Sequence, residues 1–166
     1  MQYQLKDISP DAVPHALNKA HRYRLLNEPS EAQSICEDIL RIDSQNQDAL
    51  VILLLAITDQ FDHGTARRDA EQLLPRLKDE YNRTYFAGII AERMAKVILR
   101  RATPGSNHAA YMALEEAMDC FERAQKLSPS ETDDAILRWN ACARMLMRNP
   151  SLQPPPRERY QEVIGE

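Results

Sequence analysis

The run Ala117-Met118-Asp119-Cys120-Phe121-Glu122-Arg123-Ala124-Gln125-Lys126-Leu127-Ser128-Pro129 constrains this chain more than any other stretch. Ala117, Phe121 and Ala124 stand at i, i+4 and i+7, so they share one stripe of a helix, with a large ring between two small residues. The small residues let a neighbouring helix approach, and the ring fills the gap. Ser128-Pro129 then ends the helix, because proline restricts the residue before it and has no N–H to give to the preceding turn.

The stripe recurs. Ala32, Cys36, Ile39 and Ser44 repeat the spacing, preceded by Ala20, Tyr23 and the turn Asn27-Glu28-Pro29-Ser30. A step of about 34 residues carries Ala20 to Leu54 and Gly88, Tyr23 to Ile57 and Ala91, Ala32 to Ala66, and Ile39 to Leu73. Each landing is small or apolar. The step from Ala66 reaches Arg100 and fails, and an insertion of about 17 residues restores the register in a third unit. On the Ala-x3-Phe-x2-Ala-x4-Pro block and this period, the chain resembles the tetratricopeptide repeat (TPR) family over roughly residues 13–130. It departs from the family pattern in lacking an aromatic near the start of the first helices, and in Ser44 and Lys78 where the first two units would carry proline.

The resemblance implies an all-α fold, a TPR-like α-solenoid of about seven antiparallel helices. The repeats fall near residues 13–46, 47–80 and 81–131, with a capping helix at 132–148, so that 1–149 form one helical domain and 150–166 a Pro-rich extended or disordered tail. Ser9-Pro10-Asp11 opens the first helix, and Glu28-Pro29 the second, which ends near Ile42. The third spans about 47–60, and its run Ala49 to Ile57 reads as the most buried helix of the stack. Thr65 is the cap expected for the fourth, with a kink or early end at Pro75. The fifth and sixth, near 82–101 and 107–127, form an elongated hairpin projecting roughly 10 Å beyond its neighbours. Glu131 to Asp134 place acids at the start of the seventh.

With 166 residues, the chain suits one domain with a real core. Its net charge of −4 argues against a nucleic-acid partner, which calls for a basic face. Met1 to Pro10 lacks a charged start followed by an apolar run, so no secretory signal is expected. The longest apolar run is about half of a membrane span. Cys36, Cys120 and Cys142 show no metal or redox spacing, and small buried hydrophobes in a reducing, cytoplasmic setting are expected.

No catalytic motif is present. His15, His21, His63 and His108 form no zinc or acid–base spacing, Glu115-Glu116 and Asp133-Asp134 diverge on their helices, and the glycines are isolated. Neither metal nor cofactor is expected. In the resembling family the first helices line a concave groove. By register that groove takes Leu17, His21 and Arg24, then Val51, Leu55 and Thr58, then Asn82, Tyr85, Ile89 and Glu92. A family subset clamps a C-terminal carboxylate with basic and amide side chains, but the matching places hold Leu17, His21, Ile52, Asn82 and Phe86; Asn82 alone has a suitable side-chain type, and it stands where the clamp needs lysine. Leu17, Val51 and Tyr85 would instead suit an apolar or amphipathic helix of a partner.

Arg93, Lys96 and Arg100, at i, i+3 and i+7 with Arg101 adjacent, are a second candidate. They form a basic stripe leading to His108 and Tyr111 on the projecting hairpin. It either docks an acidic partner or pairs with Glu92 and the acids of the sixth helix. The expected function is a non-catalytic adapter or scaffold for another protein, with no nucleic-acid or membrane partner. The alternative is a structural subunit that self-associates into a homo-oligomer, and a weaker one is a hydrolase or metal-binding protein with dispersed ligands.

Overall fold

The computed structural model describes residues 3–127, 132–152 and 154. The Ser128-Pro129 stop, Glu131 and most of the Pro-rich tail lie outside the described residues. The elements are α1 (Val13–Leu25), α2 (Pro29–Ile42), α3 (Gln47–Asp59), α4 (Arg67–Glu71), α5 (Glu80–Arg101), α6 (Ser106–Leu127) and α7 (Asp134–Arg148). Short 3₁₀ turns stand at Pro10–Ala12, Phe61–His63 and Leu74–Arg76. No strand occurs among the described residues, so the chain is all-α.

Local chemistry sets the boundaries. Asn46 caps α3, its Oδ1 accepting the Ala49 N–H at 3.0 Å, and Asp79 caps α5, accepting the Tyr81 N–H at 3.3 Å. Proline opens α2 at a position whose N–H has no partner within the helix. The α5–α6 connection turns through two left-handed residues, Ala102 (φ 48°) and Gly105 (φ 82°).

The fourth element corrects the sequence reading. Thr65 does not cap it; Ala66 does, with the Asp69 carboxylate accepting the Ala66 N–H at 3.3 Å. The turn Phe61–His63 and the left-handed Gly64 (φ 92°) lengthen the preceding connection, while Pro75 sits in a 3₁₀ turn that replaces the rest of the helix. The register step to Ala66 fails as well. Ala66 is exposed, and the buried small residue is Ala70, one turn later, followed by buried Leu73 and Leu77.

Helices α1, α2 and α3 pack in chain order, as do α5, α6 and α7, and α3 also touches both α1 and α5. As its apolar run requires, α3 is buried on nearly every side. Ala20, Leu54 and Gly88 all lie in the core. The longest interface joins α5 to α6, and Gly88 explains its closeness. A Cβ there would stand 2.6 Å from Cε1 of the fully buried Phe121. Beyond α3, the far end of α5 is braced by the turn at Phe61–His63. Arg101 Nη2 donates to the Phe61 carbonyl at 3.2 Å, and Arg100 pairs with Asp62.

Candidate functional site

Residues 24, 58–59 and 92–93 recur at the same step of about 34, so α1, α3 and α5 deliver polar side chains to one level of the fold. Asp59 is the junction. Its Oδ2 accepts Arg24 Nε of α1 at 2.8 Å, and its Oδ1 pairs with Arg93 of α5. Thr58 Oγ1 accepts from Arg93 Nη1 at 2.8 Å while donating to the Leu55 carbonyl, also at 2.8 Å. Glu92, fully buried, accepts Lys96 Nζ at 2.6 Å on one oxygen. Its other oxygen stands 2.9 Å from Nη2 of Arg138, which reaches in from α7. Helices α1, α3, α5 and α7 thus meet in one seam of charge.

Electrostatics explain why the seam is paired. An isolated buried carboxylate costs several kcal/mol, so Glu92 is held between two cations. Burial pushes the Arg93 guanidinium below its ordinary pKa; Asp59 opposes the shift, and the nearby Arg24 and Arg138 cations add to it. Over the seam lies a cavity of about 270 Å³ whose lining includes Asp59, Asp62, Arg93, Lys96, Arg100 and Arg138. Larger hollows lie elsewhere, about 460 Å³ along α1 and about 570 Å³ beside Pro75. Neither has this convergence of charge from α3, the Phe61–His63 turn, α5 and α7.

No protein-family model, curated protein or solved structure matches the chain. The site is therefore read from its own chemistry.

Of the groove residues expected from register, Arg24, Thr58 and Glu92 come together in the seam. Thr58, Ile89 and Glu92 are buried, and Leu17, Val51 and Leu55 are partly buried against the core. Asn82 is half-buried and His21 exposed. The Tyr85 ring belongs to an aromatic cluster, stacked on Tyr81 at 5.6 Å and packed against Phe86 at 5.2 Å and Phe121 at 5.7 Å. The basic stripe is engaged within the chain, Arg93 with Asp59, Lys96 with Glu92 and Arg100 with Asp62. On α6, His108 is exposed and Tyr111 half-buried.

Sequence reasoning missed Asp59, Asp62 and Arg138. Asp59 was findable, since it stands one register step before Arg93 with the opposite charge. Asp62 lies in a turn outside the register, and α7 has no register partner to flag Arg138.

Burial pushes the Cys36 and Cys142 thiols up to about 12, and raises Cys120 as well. Among the described residues, no group of three or more His, Cys, Asp and Glu side chains could hold a metal ion, and no helix is long and apolar enough to cross a membrane.

Proposed function

We propose that the chain is a TPR-like α-solenoid acting as a non-catalytic adapter, docking a segment of another protein on the face shared by α1, α3, α5 and α7. The observation that carries this reading is the seam. Four helices contribute side chains that are already locked by ion pairs, so a docking segment meets groups whose ordering cost has been met in folding. Contact between Gly88 and Phe121, which stand at the small and aromatic places of the repeat pattern, supports the solenoid reading. Free Cys36, Cys120 and Cys142 support a reducing, cytoplasmic setting.

Partners recovered from native lysate on the immobilised chain test the proposal. His21→Asp and Arg100→Asp place charge on the face at exposed positions, while Arg123→Asp alters the exposed surface of α6. Recovery is expected to fall with the first two and persist with the third. Partners retained equally by all three variants would overturn the assignment of the face.

A second reading, self-association, is favoured by one observation. Leu25 and Leu26 at the end of α1 are 87% and 64% exposed, beside the hollow lined by His15, Lys19 and Tyr23. Light scattering that reports a monomer over a wide concentration range sinks it.

A further inference from the structure

We propose that the outer face of α7 docks on the same face of a second copy of the chain, the two helices running antiparallel about a twofold axis. The inference is independent of the adapter reading, and it places self-association on α7, away from Leu25 and Leu26 of α1.

Helix α7 is the last of the described helices and packs chiefly on α6. Its inward side carries Ala135 and Cys142, both buried, and Arg138, which reaches Glu92. Ile136, Asn140, Ala143 and Met147 follow at i, i+4, i+7 and i+11, so they share a stripe on the other side, with Leu137 beside it. A helix with water beyond it is expected to be polar on its outer face. Here Leu137 and Met147 are 61% and 79% exposed, and Ile136 and Ala143 are half-buried. A hollow of about 220 Å³ opens beside the stripe, lined by Ile136 and Trp139 of α7 and by Glu122 and Gln125 of α6. An apolar face of this kind gains by being covered.

Charge selects the occupant. Asp133 heads the stripe, one turn before Ile136 and Leu137, and Arg144 and Arg148 stand towards its end. All three are exposed, and among the described residues none of them forms an ion pair. A face with an acid at one end and bases at the other complements itself when a second copy lies antiparallel, whereas a parallel pair sets like charges together. The helix dipoles favour the same arrangement. With the axis crossing between Asn140 and Ala143, Ile136 and Leu137 of one copy meet Met147 of the other, which fills the hollow beside Ile136. Asp133 then comes within reach of Arg148 of the other copy. Asn140, close to the axis, carries both a donor and an acceptor, so the two copies can bond each other symmetrically. Arg138 lies about 180° from Met147 around the helix, so the dimer leaves the charged seam open. One helix of about 22 Å per copy covers less than a standard interface, and a dissociation constant in the micromolar range is expected.

Sedimentation equilibrium of the full chain, from low micromolar to near-millimolar concentration, tests the proposal. The parent is expected to dimerise reversibly. Met147→Asp and Leu137→Asp, at exposed positions, are expected to leave a folded monomer over the same range, and Leu25→Asp on α1 to dimerise as the parent does. Arg148→Glu alone is expected to weaken the dimer about tenfold, because it breaks two symmetry-related pairs. Adding Asp133→Arg to the Arg148→Glu chain restores those pairs in reverse and is expected to recover most of the loss. A monomeric parent, a dimer that survives Met147→Asp, or a dimer lost with Leu25→Asp would each overturn the proposal, as would charge reversal without rescue. None of these outcomes bears on docking at the seam, which His21→Asp and Arg100→Asp test separately.

Discussion

Gly88 decides how closely α5 and α6 approach. In most exposed helix interiors, replacing glycine by alanine gains up to about 1 kcal/mol, because glycine has more backbone freedom to lose. Here the new methyl would meet Phe121 Cε1 at 2.6 Å and Cδ1 at 2.9 Å. The obstacle is an aromatic ring with no exposed surface, not the free end of a flexible side chain. Overpacking of this kind costs about 1–3 kcal/mol, which outweighs the propensity gain. Gly88→Ala is therefore expected to lower the urea unfolding midpoint, and Phe121→Leu in the same chain to recover part of the loss. A stabilised Gly88→Ala single variant would mean that the ring can move aside. At this scale the sequence was informative, because a glycine and a phenylalanine on matching stripes can both be read from spacing.

Elements differ in how much of them the sequence discloses. Helix α3 was legible because a run of apolar residues from Ala49 to Ile57 leaves no polar face, and α5 and α6 because their stripes persist over many turns. Helix α4 was not, since its length depends on competition between local turns, Phe61–His63 on one side and Leu74–Arg76 on the other. Spacing alone does not weigh those terms. The seam was half legible. Register placed Arg24, Thr58 and Glu92 together, but not the ion pair by which Arg138 of α7, a helix packed on α6, reaches a carboxylate 46 residues earlier in the chain. That ion pair makes a prediction about α7 as a unit. Glu92→Gln keeps the shape and removes the charge that pairs with Lys96 and Arg138, at a cost of roughly 1.5–3 kcal/mol for the Lys96 hydrogen bond to a charged group. Hydrogen exchange is expected to show α7 amides losing protection before those of α2. Uniform protection across all helices, or an unchanged unfolding midpoint, would show that packing alone holds α7 in place.

Across the whole molecule, the buried thiols tie stability to pH. Cys36 lies in the core of the α1–α3 half and Cys142 in that of the α5–α7 half, and burial pushes each thiol from 9.0 up to about 12. The folded chain then holds both protons while the unfolded chain releases them, so the unfolded state binds fewer protons above pH 9. Stability is unaffected by these groups at neutral pH and falls as pH rises from about 9 towards about 12, by roughly 1.4 kcal/mol per thiol for each unit. Other groups also titrate in this range, so the measurement is a difference. Urea unfolding from pH 8 to 11 is compared between the parent chain and Cys142→Ala, whose cavity cost is independent of pH. The variant is expected to lose stability with alkaline pH less steeply, by about one thiol's share, and Cys36→Ala to do the same. Slopes equal to that of the parent would mean that water reaches these thiols in the folded state. If only one variant flattens the slope, the other thiol is the accessible one, and its half of the helical stack opens without the rest.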